Sequence, residues 1–197
     1  MLKKKLILVT DGDNAARRAV EEAAHNLGLR CISRSATLKD QKPATGECLV
    51  ELIKEAHGEI VLVMFDDQGN SHEGRGEKEL RKIANHPDFE ILGALAVASN
   101  TDGTDGVKVD CSINQNCVIV SRPVDKQGMP EKIGHRKIEG DTVDILNELD
   151  IPIIIGIGDL GKMDGADWPN YGAPVTTKAV EEILKRSGVI SLVGKVD

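Results

Sequence analysis

Val61-Leu62-Val63-Met64-Phe65-Asp66-Asp67-Gln68-Gly69-Asn70, continuing through Ser71-His72-Glu73-Gly74-Arg75-Gly76 into Glu77-Lys78-Glu79-Leu80, decides the fold. Five consecutive apolar residues stop at two carboxylates. A glycine-punctuated loop follows, and a helical pattern then opens with Leu80, Ile83 and Ala84 on one face. Strand, loop and helix in that order make the unit of an open α/β sheet. In such sheets ligands bind outside the carboxyl ends of the strands, where loop glycines leave backbone N–H groups free to meet an anion. A functional site is expected on this edge.

The same unit recurs on both sides of that stretch. Residues 6–9 read as a first strand ending in Thr10-Asp11-Gly12-Asp13-Asn14. Asp13 is placed to cap a helix whose stripe Ala16, Val20, Ala23, Leu27 follows the 3.6-residue period, and Gly28 supplies the left-handed stop. Residues 29–33 make a second strand and 35–42 a polar loop. Thr45 caps a helix with Leu49, Leu52, Ile53 and Ala56 inward, residues 60–65 are the third strand, and His86-Pro87 stops its helix. Residues 89–98 form a fourth strand ending at Ser99-Asn100-Thr101.

The pattern then changes. Between residues 106 and 120, Val107, Val109, Val118 and Val120 alternate inward around Asn114-Gln115-Asn116, which reads as a β-hairpin inserted into the series. Residues 122–140, with Pro123, Gly128, Pro130 and Gly134, form a long irregular flap of the kind that is often functional. Asp141 caps a short helix bearing Val143, Ile145, Leu146 and Leu149. Residues 151–155 are a buried strand, 156–172 a second long loop, and Thr177 starts a last helix with Val180, Ile183 and Leu184 inward. Glu181 and Lys185, and Glu182 and Arg186, pair on that helix, and residues 189–193 add an edge strand. The expected fold is therefore an open, mostly parallel, doubly wound α/β sheet, flavodoxin-like or Toprim-like. It forms one domain over residues 1–197, with a hairpin and flap insertion at about 106–140.

Composition narrows the function. Four aromatic residues among 197 leave the core to Val, Ile, Leu and Ala and remove the stacking platforms that single-stranded nucleic acid needs. A formal net charge of −7 argues against a nucleic-acid footprint. The basic groups 3–5 and 135–137 read as solvated surface, with a lipid or phosphate role as the minority reading. Four cysteines without a Cys-x-x-Cys pair are neither a zinc knuckle nor a redox motif, which places the chain in a reducing, intracellular compartment. Cys31 and Cys48 read as small core residues. The apolar run behind the basic start, residues 6–9, is too short for a signal-peptide core or a membrane span.

The residues that could carry chemistry gather at strand ends. Asp11, Asp13, Asp66 and Asp67, with Glu77 just beyond, would offer oxygen ligands to Mg²⁺ or Ca²⁺, and the metal set is Asp11, Asp66, Asp67 and Glu77. The same acids also serve as helix and turn caps, so both readings stand. The pattern resembles a Toprim-type site, with the departures that Asp11 stands where a glutamate is usual and Asp66-Asp67 lack a spacer. Gly156-Ile157-Gly158-Asp159-Leu160-Gly161 matches a dinucleotide fingerprint in spacing but runs into loop, so it reads as a tight turn. His72 is the one histidine in the organising loop, and neither the cysteines nor any serine has the partners of a nucleophile.

The whole chain resembles the stage V sporulation protein AE family. The resemblance rests on Leu8-Val9-Thr10-Asp11-Gly12-Asp13, Cys31-Ile32-Ser33, Val61-Leu62-Val63-Met64-Phe65-Asp66-Asp67, Val97-Ala98-Ser99-Asn100-Thr101, Gly140-Asp141-Thr142-Val143-Asp144, Gly156-Ile157-Gly158-Asp159 and Thr176-Thr177-Lys178-Ala179. It implies an accessory, soluble subunit, peripheral to the forespore inner membrane, in the assembly that moves dipicolinic acid with its calcium during sporulation and germination. Its partners would be the integral membrane proteins of that assembly and calcium-dipicolinate, with a homo-oligomer left open and no nucleic acid expected. No catalytic residue or established cofactor is implied. Asp11, Asp13, Asp66, Asp67, Asn100 and Asp159, all in the matched turns, are the candidate ligand-binding residues. The alternative is a Mg²⁺-dependent Toprim-like phosphoryl-transfer or nucleotide enzyme.

Overall fold

The computed structural model describes residues 3–33, 44–65, 74–99, 105–140 and 142–189. Its main sheet has seven strands in the order β2 (Arg30–Ile32), β3 (Ile60–Met64), β1 (Lys4–Val9), β4 (Phe89–Val97), β9 (Ile154–Ile157), β6 (Cys111–Ile113) and β7 (Ile119–Val120). The first six run parallel and β7 closes the edge antiparallel to β6. Two further short strands, β5 (Val107–Lys108) and β8 (Lys137–Ile138), pair antiparallel apart from it.

Alternation along the strands splits the interior into two layers. Ile7 and Val9 of β1 face one layer, and Leu6 and Leu8 face the other. The first layer is covered by α1 (Asn14–Asn26) and α4 (Pro174–Arg186). The second is covered by α2 (Gly46–Glu55), α3 (Arg75–Ala84) and a 3-10 turn at Asp144–Glu148. This is the doubly wound arrangement expected. Phe65 and Leu6, Leu8, Leu62 and Leu95 are fully buried, so each contributes about 1.5–3 kcal/mol of transfer free energy.

β4 departs from strict alternation. Its register against β1 shifts between Leu6 and Ile7, whose partners are Ile91 and Gly93, so Leu92 is an extra residue. Phe89 and Ile91 before the bulge, and Ala94, Ala96 and Ala98 after it, consequently share the α2/α3 face, which an unbroken strand forbids. Gly93 permits the crowding, because a Cβ there would stand 2.7 Å from the Ile153 carbonyl oxygen.

Caps set the helix starts. Asp13 accepts from the Ala15 and Ala16 N–H groups at 2.8 Å each, and Thr45 Oγ1 accepts from Cys48 N–H at 3.3 Å, both as expected. Gly28 has φ +66. At the far end of α2, Lys4 Nζ donates to the Ala56 and Gly58 carbonyls, matching a cation to the helix's negative end.

Several expectations are corrected. The hairpin exists as β6 and β7, but Val118 is 53% exposed. Val107 is buried through pairing with Ile138 of the flap, not with the hairpin. The segment after residue 142 is a 3-10 turn led by Val143 without a side-chain cap, and Asp141 lies outside the described residues. The last strand begins at Ile154, where Asp110 Oδ2 accepts the Ile154 N–H at 2.7 Å. The last helix starts at Pro174, three residues ahead of Thr177, for a reason given below. Cys31 and Cys48 are half-buried at the layer margins, and all four cysteines are free. The expected loop at 35–42 and the edge strand beyond Val189 fall outside the described residues.

Candidate functional site

Helix α1 covers one face of the sheet and α3 the other, so the chain departs from the neighbouring strands β1 and β3 to opposite faces, the arrangement at which doubly wound sheets bind ligands. Thr10 fixes the exit of β1. Its buried Oγ1 donates to the Leu95 carbonyl at 3.2 Å and accepts from Val97 N–H at 3.1 Å, one step past the ladder. The chain then turns through Asp11, whose Oδ1 accepts the Asp13 N–H at 3.2 Å, an Asx turn that hands the backbone to the α1 cap.

A third element completes the cluster. The loop after β9 brings Lys162 to Asp13, with Nζ donating to Asp13 Oδ2 at 2.6 Å and to Asp159 Oδ1 and Oδ2 at 2.9 and 3.1 Å. Asp159 N–H donates to the Lys126 carbonyl at 2.8 Å, which ties the same loop to the flap. The turn of α1 and the loop 158–162 therefore meet at one ammonium group, and the flap is tied to that loop through the Asp159 backbone. Lys162 and Asp13 are each about half exposed, so water screens this pair heavily.

The charges respond in opposite directions. Burial, reinforced by the negative charges of Asp13 and Asp159, pushes the Asp11 carboxyl up to about 7. Burial also opposes ionisation of Asp13, but the Lys162 ammonium and the Ala15 and Ala16 N–H groups outweigh it and hold Asp13 below the usual carboxylate range. Burial lowers the affinity of Lys162 for its proton, while Asp13 and Asp159 raise it by more. The edge thus holds a carboxyl raised to about 7 beside two carboxylates bridged by one ammonium group.

Of the expected site residues, Asp11, Asp13 and Asp159 come together here. Asp66, Asp67 and Asn100, and the loop histidine His72, lie outside the described residues. Glu77 sits on the first turn of α3, whose N-terminus opens on the same edge. Among the described residues no group of three or more His, Cys, Asp or Glu side chains is arranged to hold a metal ion. Lys162 is instead the counter-ion of Asp13 and Asp159, and it was not among the expected residues. A signal for it was present in the i, i+3 spacing of Asp159 and Lys162, while its partner Asp13 is 149 residues away in sequence.

The glycine motif opens no helix; β9 passes into a 3-10 turn at Met163–Gly165. Its glycines serve close approach. Gly161 has φ +72, and a Cβ there would stand 2.5 Å from the Ala15 carbonyl oxygen at the start of α1. Gly161→Ala is expected to lower stability by about 2–4 kcal/mol through the clash and the left-handed backbone together. A urea denaturation series checks this, and a loss below about 1 kcal/mol would show that the loop relaxes away from α1 freely. Beside this loop, the flap roofs a polar recess of about 200 Å³ at the end of β4, lined by Ala98, Ser99, Lys126 and His135 among others.

No curated protein and no solved structure matches the chain significantly. The model of the stage V sporulation protein AE1 family matches residues 5–187, a span that runs from β1 past the end of α4 and takes in every strand and helix described above. The chain belongs to that sporulation family.

Proposed function

We propose that the chain is an accessory, non-enzymatic subunit of the sporulation membrane assembly that moves dipicolinic acid, with its calcium, into the developing spore and out again at germination. The observation that carries this reading is the family match over residues 5–187. No described helix is long and apolar enough to cross a membrane, so on this reading the described residues attach by docking on membrane proteins. The carboxyl edge is the ligand surface, comprising Asp11, Asp13 and Asp159 with Asp66, Asp67 and Asn100 of the neighbouring strand ends. Ca²⁺ prefers oxygen ligands and would compete with Lys162 for Asp13 and Asp159. Spores made without this chain are expected to hold several-fold less dipicolinate than spores carrying it, measured in boiled extracts and in the medium at germination. Unchanged content together with unchanged release would sink the proposal.

The phosphoryl-transfer alternative draws on one observation, the Asp11 carboxyl near neutrality, which suits general acid–base work. It requires Mg²⁺-dependent hydrolysis of a phosphate ester that Asp11→Asn abolishes. A purified protein without such hydrolysis leaves the accessory reading alone.

A further inference from the structure

The flap has a fixed base and a protruding tip. Val124 and Ile138 anchor its two ends in the α2/α3 layer, and Val124 bridges to Pro130. Asp125 Oδ1 accepts from the Gln127 and Met129 N–H groups at 2.9 Å each, and Arg122 Nη1 donates to the Glu131 carbonyl at 3.0 Å. Beyond Glu131 the chain makes a hydrogen-bonded turn, with His135 N–H donating to the Lys132 carbonyl at 3.1 Å and Gly134 at φ +104. This turn lifts Ile133 into solvent, 93% exposed, and Met129 is 47% exposed behind it.

Charge distinguishes this tip from the rest of the protein. Residues 132–138 read Lys-Ile-Gly-His-Arg-Lys-Ile, three cations and a histidine between Glu131 and Glu139, the latter 3.8 Å from His135, in a chain of formal net charge −7. Lys132 and Arg136, both exposed, flank the isoleucine. A protein interface of ordinary size needs about 800 Å² from each partner and favours a broad, fitted patch. A single convex aliphatic side chain between cations suits the boundary of a bilayer, where the apolar group enters the acyl region and the cations meet anionic headgroups.

We propose that the flap turn at residues 132–136 docks on an anionic lipid surface, with Ile133 inserted and Lys132 and Arg136 against the headgroups. The proposed membrane assembly supplies the setting, and the test is separable from that reading because it uses neither other proteins nor dipicolinate. The purified full chain is sedimented with vesicles of phosphatidylglycerol and phosphatidylcholine, and with phosphatidylcholine alone. Binding is expected with the anionic vesicles, falling steeply as salt rises. Lys132→Gln with Arg136→Gln is expected to weaken it by about tenfold or more, and Ile133→Ser by about fivefold with the salt dependence kept.

Trp168 and Tyr171, stacked at 5.8 Å between ring centroids and exposed, sit beside α1 on the other face of the sheet. They provide the control, since Tyr171→Ser is expected to bind as the parent does. Equal binding to uncharged vesicles, no binding at low salt, unaltered binding by the flap variants, or an equal loss in Tyr171→Ser would each overturn the proposal. The altered side chains are exposed, so a matching thermal midpoint in each variant confirms that folding is not the quantity being read.

Discussion

Asp167→Asn is expected to cost about 3–4 kcal/mol of stability and to lower the thermal midpoint by about 10 °C. Asp167 is fully buried and accepts four hydrogen bonds. Oδ1 accepts from the Val175 and Thr176 N–H groups at 2.9 Å each, and Oδ2 from Gly161 N–H at 2.9 Å and Thr176 Oγ1 at 2.6 Å. Two of those donors are orphan N–H groups of the first turn of α4, whose preceding residue, Ala173, has no side chain to cap them. Burial pushes the Asp167 carboxyl upward and the four donors pull it back. Asparagine keeps the volume but turns an NH₂ group toward those donors, so the effect isolates lost acceptors rather than a cavity. Calorimetry and urea denaturation check it, and a loss under about 1 kcal/mol would mean that α4 does not depend on this cap.

Asp11→Asn is expected to act in the opposite direction. The folded-state value for Asp11 is raised to about 7 against an ordinary 3.8, so between those limits the native state binds the proton more tightly than the unfolded chain does. This contribution favours the fold below about pH 4, falls away as pH rises through 7, and leaves a penalty above it. Asparagine removes the ionisation and retains the oxygen that accepts the Asp13 N–H. At pH 8 it should stabilise the protein by on the order of 2–3 kcal/mol, a figure discounted for the water that reaches this turn. Below about pH 4, where folded and unfolded chains both hold the proton, the two proteins should differ little, and the gap should open steadily from there to about pH 7. Asp13, held low, contributes in the other sense: its stabilisation is present above the ordinary carboxylate value and is lost only as pH falls below it. A parent whose stability is flat from pH 5 to 8 would disprove the assignment.

The parts of the fold governed by near neighbours were legible. The stripe of α1, the caps at Asp13 and Thr45, the apolar run of β3 and the ion pairs of α4 all follow from residues within one or two turns of each other. What was hidden depends on partners far away in the chain. The start of α4 could not be read from Thr177, because its cap is Asp167, reaching back through space into the first turn. Val107 and Val118 follow the same alternating pattern, yet one meets Ile138 and the other meets water, and only the covering flap distinguishes them. The bulge at Leu92 lies within a run apolar on both faces, where no change of period marks it. Strand ends brought Asp11, Asp13 and Asp159 into view as candidates, but the lysine that joins Asp13 to Asp159 lies 149 residues from Asp13 in sequence.

The pairing of β4 with β9 sets how late in synthesis the sheet can close. Residues up to Val97 already hold β2, β3, β1 and β4 with three helices. The next partner for β4 begins only at Ile154, after the hairpin and the flap have been made. During that interval Ala94, Leu95, Ala96 and Val97 form a bare apolar sheet edge, the kind of template that recruits other nascent chains. Docking of β9 also brings in α4, whose contacts with α1 seal the first layer. Synthesis of residues 98–157, flap included, is therefore the interval in which that edge stands open, and a stall anywhere within it should favour pairing with other chains.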